Sequence, residues 1–154
     1  MTTLRIALAF VVLPAVAVAQ TAPAPRFLNP PDVAHIPGVS QAVVIKGGTL
    51  VYVAGQVGLD AHGVLVGAND FRAQTTQAFE NIKTVLAAAG LTPANITKLN
   101  YYVVGLDDAK LKILRDVRDH YINTAEPPAS TLAGVQALFR SDCLIEIEAI
   151  AVAP

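Results

Sequence analysis

Leu144-Ile145-Glu146-Ile147-Glu148-Ala149-Ile150-Ala151-Val152, near the end of the chain, decides the fold class. Its side chains alternate with a period of two, the signature of a β-strand with unlike faces. Ile145, Ile147, Ala149 and Ala151 form one wholly apolar side, the natural seat for helices. Leu144, Glu146, Glu148 and Ile150 form the other, where two carboxylates lie among apolar groups. That mixture suits a partly buried contact with another subunit better than open water. The strand therefore predicts a sheet covered by helices on one face, and an oligomer built on the other.

Upstream, Ser130 to Leu138 reads as a second strand, and Pro127-Pro128 ends the element before it. That element is a helix capped by Asp107 or Asp108, burying Leu111, Leu114, Val117 and Tyr121. Ile96 to Val104, with Tyr101 and Tyr102, is a further strand. A longer helix precedes it, starting at Asn69 or Asp70 and stopped by Gly90 and Pro93. Phe71, Ala78, Phe79, Ile82, Val85, Leu86 and Ala89 fall on one face of it. Val39 to Lys46 and Thr49 to Ala54 are β-branched runs, which Gly47-Gly48 should join as a tight hairpin. Asp60-Ala61-His62-Gly63 turns the chain into a short strand, Val64 to Val66. Strands and helices in this mixed order predict an α+β fold, a mixed sheet with two helices packed on one face.

Residues 38–154 form this domain. Residues 20–37 form a Pro/Ala-rich leader with Pro23, Pro25, Pro30, Pro31 and Pro37, expected to be extended and to dock late or stay mobile. Residues 1–19 read as a signal peptide. Arg5 is the positive start, Ile6 to Val16 the apolar stretch, and Ala17-Val18-Ala19 the cleavage pattern before Gln20. A membrane anchor wants about 20 apolar residues, and this shorter run contains Pro14. Export to the periplasm or out of the cell is expected, with no membrane attachment after cleavage.

The chain has 154 residues, 53% hydrophobic and 15% charged, which suits one domain with a packed core. Without residues 1–19 it loses Arg5 and no acid, leaving 10 basic and 12 acidic residues, a net charge of −2. No basic run exists to neutralise phosphates, so nucleic acid is not an expected partner. Cys143 has no cysteine to pair with and precedes an apolar run, which predicts a buried structural thiol. His35, His62 and His120 lack the spacing of a helical metal site, so no metal is expected. No phosphate loop or nucleophile elbow is present.

Glu146 and Glu148 remain as candidates for chemistry. Two apart on a strand, they point the same way at a separation of about 7 Å. A carboxylate on a half-buried sheet face can serve as general acid or base. It can equally pair with a cation across an interface or face water, and the residues alone favour that plainer role.

Several motifs in order carry a resemblance. Ser40-Gln41-Ala42, Val53-Ala54-Gly55-Gln56, Gln74 to Gly90 (QTTQAFENIKTVLAAAG), Pro127-Pro128-Ala129-Ser130-Thr131 and Ile145 to Ala151 (IEIEAIA) together resemble the RidA (YjgF-type) family from Gly38 onward. The resemblance implies a chorismate-mutase-like fold and a homotrimer with small-molecule clefts between subunits. It implies cofactor-free hydrolysis of enamines or imines to ammonia and 2-keto acids. In deaminase members an arginine forks onto the substrate carboxylate and a glutamate positions the attacking water. Glu146 matches that catalytic glutamate, and Gly55 matches the cleft glycine.

Two positions depart from the pattern. Ser130 stands where the arginine would be, and Val39 replaces a tyrosine before the first-strand motif. A serine hydroxyl cannot reproduce a bidentate guanidinium grip, and losing one typically costs about 2–5 kcal/mol. Specificity altered from 2-imino acids is therefore expected, with Ser130, Gly55, Val39 and Arg115 as substrate-binding positions. Arg115 and Arg118, three apart on the second helix, are read as solvated charges balanced by Asp116 and Asp119, with entry into the cleft as the alternative. Three functions follow: an enzyme of altered specificity acting through Glu146, a non-catalytic ligand-binding module of the same fold, and a ribonuclease. The near-neutral charge disfavours the last.

Overall fold

The computed structural model describes residues 23–154; the expected signal peptide, residues 1–19, lies outside the described residues. In chain order the strands are β1 (Arg26–Leu28), β2 (Ala42–Val44), β3 (Thr49–Val57), β4 (Ile96–Val104), β5 (Ala129–Val135) and β6 (Ile145–Ala153). The helices are α1 (Phe71–Ala88), between β3 and β4, and α2 (Asp108–Arg118), between β4 and β5. Strands β3, β6, β4 and β5 form the main sheet in that order. The β3–β6 and β6–β4 pairs are antiparallel and β4–β5 is parallel. A parallel pair needs a long crossover, and α2 supplies it.

The alternation in β6 appears directly in its burial. Ile145, Ile147, Ala149 and Ala151 are fully buried, joined by Leu99, Tyr101 and Val103 of β4 and Val53 of β3. Against this side pack Phe71, Ala78, Phe79, Ile82 and Leu86 of α1 and Leu114 and Val117 of α2. Phe79 stacks on Tyr121 with ring centroids 4.8 Å apart, tying α1 to the chain that follows α2. The two helices thus lie on one face of a mixed sheet. The opposite face carries Tyr52, Lys98, Asn100, Tyr102, Glu146, Glu148 and Ile150, and Tyr52 is 72% exposed there.

Helix starts follow the expected capping. Asp70 accepts from the backbone N–H of Ala73 at 3.0 Å, and Asp107 from that of Lys110 at 2.7 Å. Asn69 is not the cap but the left-handed residue before it (φ 59°). Val85 and Ala89 lie on the exposed side of α1, whereas Gln74 and Thr75 are buried. Their polar groups are satisfied within the fold. Thr75 bonds back to Phe71 O, and Gln74 reaches Gly67 O, Asp142 O and Leu144 N.

The expected hairpin through Gly47-Gly48 does not form. Both glycines have positive φ, but β2 pairs antiparallel with β1 of the leader and β3 pairs with β6. The leader is therefore docked from Arg26 onward, and Gln41 clasps it through Asn29 Oδ1 and Ala34 O. Val64 to Val66 is not a strand. Asp60 Oδ1 accepts from the N–H groups of His62 and Val64, which bends the segment into a loop with one isolated bridge, Leu59 to Leu65. Strand β5 ends at Val135, short of the expected Leu138.

Candidate functional site

The sequence-nominated residues fall into two groups. Glu146 and Gly55 touch. A Cβ added to Gly55 would overlap Glu146 Oε1, so the glycine lets the carboxylate lie against the β3 backbone. Gly55 stands where the β3–β6 register shifts, between Val53 and Gln56, and that irregularity re-aims the strand toward the carboxylate. Gly55 also borders an open depression of about 570 Å³ beside Asp60, Gln77, Asn81 and the exposed Phe139.

The paired carboxylates are not equivalent. Glu148 Oε2 accepts from Asn100 Nδ2 at 3.2 Å and from Tyr102 Oη at 3.1 Å. That hydrogen bond raises the Tyr102 phenol above its ordinary value, with the Glu148 charge adding to it. Glu146 takes part in no salt bridge among the described residues. One carboxylate is structurally committed, and its neighbour is available.

Val39, Ser130 and Arg115 come together elsewhere, around a cavity of about 290 Å³ beneath α2. Its other walls are Ile36, Pro37, Tyr101, Leu111, Leu114, Arg118 and Leu132. Ser130 pairs with Leu99 and Leu132 with Tyr101, so Ser130 lies on the helix side of the sheet. Glu146 pairs with Tyr102 on the far side. Within one chain, Ser130 and Glu146 face opposite ways.

Two further residues line this cavity. Arg118, read as solvated with entry into the cleft as the alternative, is only 7% exposed. Its Nε and Nη2 both donate to Asp119 Oδ1, at 2.9 and 2.7 Å, and its guanidinium lies on Gly38, where any Cβ would overlap it. Asp116, the other expected counter-charge, pairs with Arg72 instead. The second is Tyr101, whose inward place followed from the alternation of β4 but whose hydroxyl is buried without a partner. Burial pushes that phenol well above its usual range, against the pull of the nearby Arg118 charge.

Cys143 is buried, as expected, and burial raises its thiol. His35, His62 and His120 are all exposed, and no cluster of His, Cys, Asp or Glu among the described residues could hold a metal ion. No helix of the described residues is long and apolar enough to cross a membrane.

A mixed sheet with two helices on one face, a glycine-backed carboxylate and a small cavity under the crossover helix place the chain among the α+β proteins. The family model described as endoribonuclease L-PSP matches residues 33–153, and the chain belongs to this family, the RidA/YjgF proteins. It is 34% identical to protein DfrA of Myxococcus xanthus over 113 residues, 73% of this chain and 83% of the relative. It is 35% identical to a 2-iminobutanoate/2-iminopropanoate deaminase of Salmonella typhimurium over 105 residues, 68% of this chain and 80% of that one. Its fold resembles the crystal structure of the Rid-family protein YyfB of Yersinia pestis, a protein of unknown function. The TM-score is 0.78 at 41% identity, covering 84% of this chain and 98% of that one.

Proposed function

We propose that this protein hydrolyses enamine- or imine-type metabolites without a cofactor, at a cleft between copies of the chain, with specificity altered from 2-imino acids. The observation that carries the reading is the Glu146 carboxylate, set against Gly55 and outside any salt bridge among the described residues, beside a Glu148 already engaged by Asn100 and Tyr102. Relatives named 2-iminobutanoate/2-iminopropanoate deaminase support the reaction class. In the step, Glu146 takes a proton from water as the water oxygen bonds to the C=N carbon. The proton passes to nitrogen to give a carbinolamine; the same carboxylate then carries the hydroxyl proton to nitrogen as the C–N bond breaks, so ammonia leaves and a carbonyl remains. Water is the only co-reactant, and no group changes oxidation state.

The opposed directions of Ser130 and Glu146 support a cleft shared between copies, because only a second chain can bring them to one ligand. A homotrimer is the assembly we propose. Ser130 offers a single hydroxyl where a strand-borne guanidinium fork would stand, which supports the altered specificity. Export, to the periplasm or beyond the cell, rests on residues 1–19. Protein recovered from the exported fraction should begin at Gln20.

The test is ammonia release from a panel of enzymatically generated imines, comparing wild type, Glu146→Gln and Ser130→Arg. Wild type should turn over at least one imine, Glu146→Gln should abolish this, and Ser130→Arg should gain imino-acid activity. No turnover by any variant, with a metabolite co-purifying, would instead establish a non-catalytic binding module.

A further inference from the structure

We infer that Phe139 sets the specificity of the site, its ring receiving an uncharged, flat, aromatic tail on a substrate whose C=N carbon lies at Glu146. This deepens the proposed function and rests on it in taking Glu146 as the group that acts on that carbon.

Gly55 links the carboxylate to the seat of the tail. The Glu146 carboxylate lies where a Cβ of residue 55 would stand, and the same glycine borders the open depression of about 570 Å³. That volume falls within the range of small-molecule sites, ~300–1,000 Å³. A substrate reacting at Glu146 has one residue's width to cross, about 4 Å, before its tail enters. A glycine lets a ligand pass that close to the backbone.

The lining selects against charge. Its polar groups are already engaged: Asn81 Nδ2 donates to Val57 O at 3.0 Å and Leu59 O at 2.8 Å, and Asn81 Oδ1 accepts from Gln77 Nε2 at 2.8 Å. Asp60 is the only charged residue of the wall among the described residues, and its Oδ1 accepts from the N–H groups of His62 and Val64. With Asp60 in the wall and Glu146 across Gly55, an anionic tail meets two like charges and no cation. A hydrocarbon tail meets Val57, Leu59, Val85 and Phe139.

Phe139 is the part of that surface built to be met from outside. It is 69% exposed, and Val85 on the same depression is 40% exposed. A single exposed apolar side chain is ordinary, but this one stands on a braced loop between β5 and β6. Arg140, next to it, grips both oxygens of Asp142, at 3.0 and 2.6 Å, and donates to Gly63 O at 3.2 Å. Gln74 of α1 holds the same loop through Asp142 O and Leu144 N. A ring presented on a fixed loop loses little freedom when a ligand packs on it. Stacked or edge-to-face rings gain more than their buried area alone provides, so an aromatic tail is favoured over an aliphatic one of equal size.

The experiment pairs turnover with the binding of a stable neutral analogue. Imines without a carboxylate are generated by a flavin amine oxidase from 2-phenylethylamine and from ethylamine, and their loss above the spontaneous rate is followed. Wild type should favour the phenyl-bearing imine in kcat/KM by about tenfold or more. Phe139→Ala should lower that value about tenfold, and should act far less on the ethyl imine, whose tail does not reach the ring. Phe139→Leu, apolar but without a ring, should fall between. In calorimetric titration phenylacetamide should bind wild type, phenylacetate about tenfold more weakly, and Phe139→Ala should bind the amide about tenfold more weakly than wild type does. Because the ring is exposed, melting temperature and assembly mass should stay at their wild-type values in both variants. Equal loss on both imines, tighter binding of phenylacetate than of phenylacetamide, or an assembly that falls apart in Phe139→Ala would overturn the inference, the last by making the ring a contact between copies. Turnover that needs Glu146 but ignores the tail and Phe139 would sink the inference and spare the hydrolysis. Binding of phenylacetamide that depends on Phe139, with no imine turned over, would do the reverse.

Discussion

Alanine at position 55 should separate folding from catalysis. The backbone of Gly55 is not left-handed, so alanine meets no conformational barrier and the whole effect is one of space. The new Cβ would stand 2.6 Å from Glu146 Cδ and 2.9 Å from Cγ, and would overlap Oε1. Ordinary contacts lie at about 3.5–4.0 Å, so the carboxylate must retreat by roughly 1 Å. Glutamate is flexible and Glu146 only half-buried, so the fold should yield about 1 kcal/mol. The lower chain entropy of alanine offsets about 0.4–1 kcal/mol of that. Stability should therefore shift by a few degrees at most. Turnover should not be spared, because a displacement of about 1 Å can cost on the order of 100-fold. The assay pairs thermal melting with ammonia-release kinetics for Gly55→Ala, Glu146→Gln and the double variant. The double variant should be no worse than Glu146→Gln alone, since both changes remove one function. Wild-type turnover in Gly55→Ala, with Glu146 unmoved in its crystal structure, would refute the role given to the glycine.

Other consequences concern stability and reactivity. Gln74→Leu strands Leu144 N and the carbonyls of Gly67 and Asp142, and should cost about 3–5 kcal/mol in urea denaturation; a loss under about 1 kcal/mol would contradict this accounting. Tyr121 donates to Glu80 Oε1 at 2.9 Å and, with Lys83, holds that carboxyl below its ordinary value. Such a group stabilises the fold fully above its unfolded pKa, about 4.3, and ceases to as pH falls through its folded value. Tyr121→Phe should therefore lower the melting temperature more at neutral pH than at about pH 3, whereas parallel melting curves would remove this contribution. The Cys143 thiol, raised chiefly by burial and then by the Asp142 charge, should react with iodoacetamide only when the protein is unfolded; rapid labelling of native protein would show it accessible.

What the sequence revealed depended on how local the cause was. The two faces of β6 and the caps at Asp70 and Asp107 rest on neighbouring residues, and they were legible. The partner of β2 was not. Gly47-Gly48 signals a turn but cannot say which strand lies beside β2, and the strand that does is three residues long, flanked by Pro25 and Pro30. Gln74 and Thr75 look like surface residues until their hydrogen bonds to distant backbone are known. At the site, Glu146 and Gly55 were nominated by motif, but their contact depends on the β3–β6 register shift. For Arg118 the residues alone left solvated charge and entry into the cleft both open, because its adjacent aspartate suits a surface pair, while its burial depends on Gly38, remote in sequence and missing a Cβ.

The opposed orientations of Ser130 and Glu146 lend themselves to complementation. A chain crippled at the cavity still carries a sound carboxylate, and a chain crippled at position 146 still carries a sound cavity. Unfolded together and reassembled, two inert preparations would regain activity at every junction where the intact half of one meets the intact half of the other. A site assembled wholly within one chain would stay silent under the same mixing.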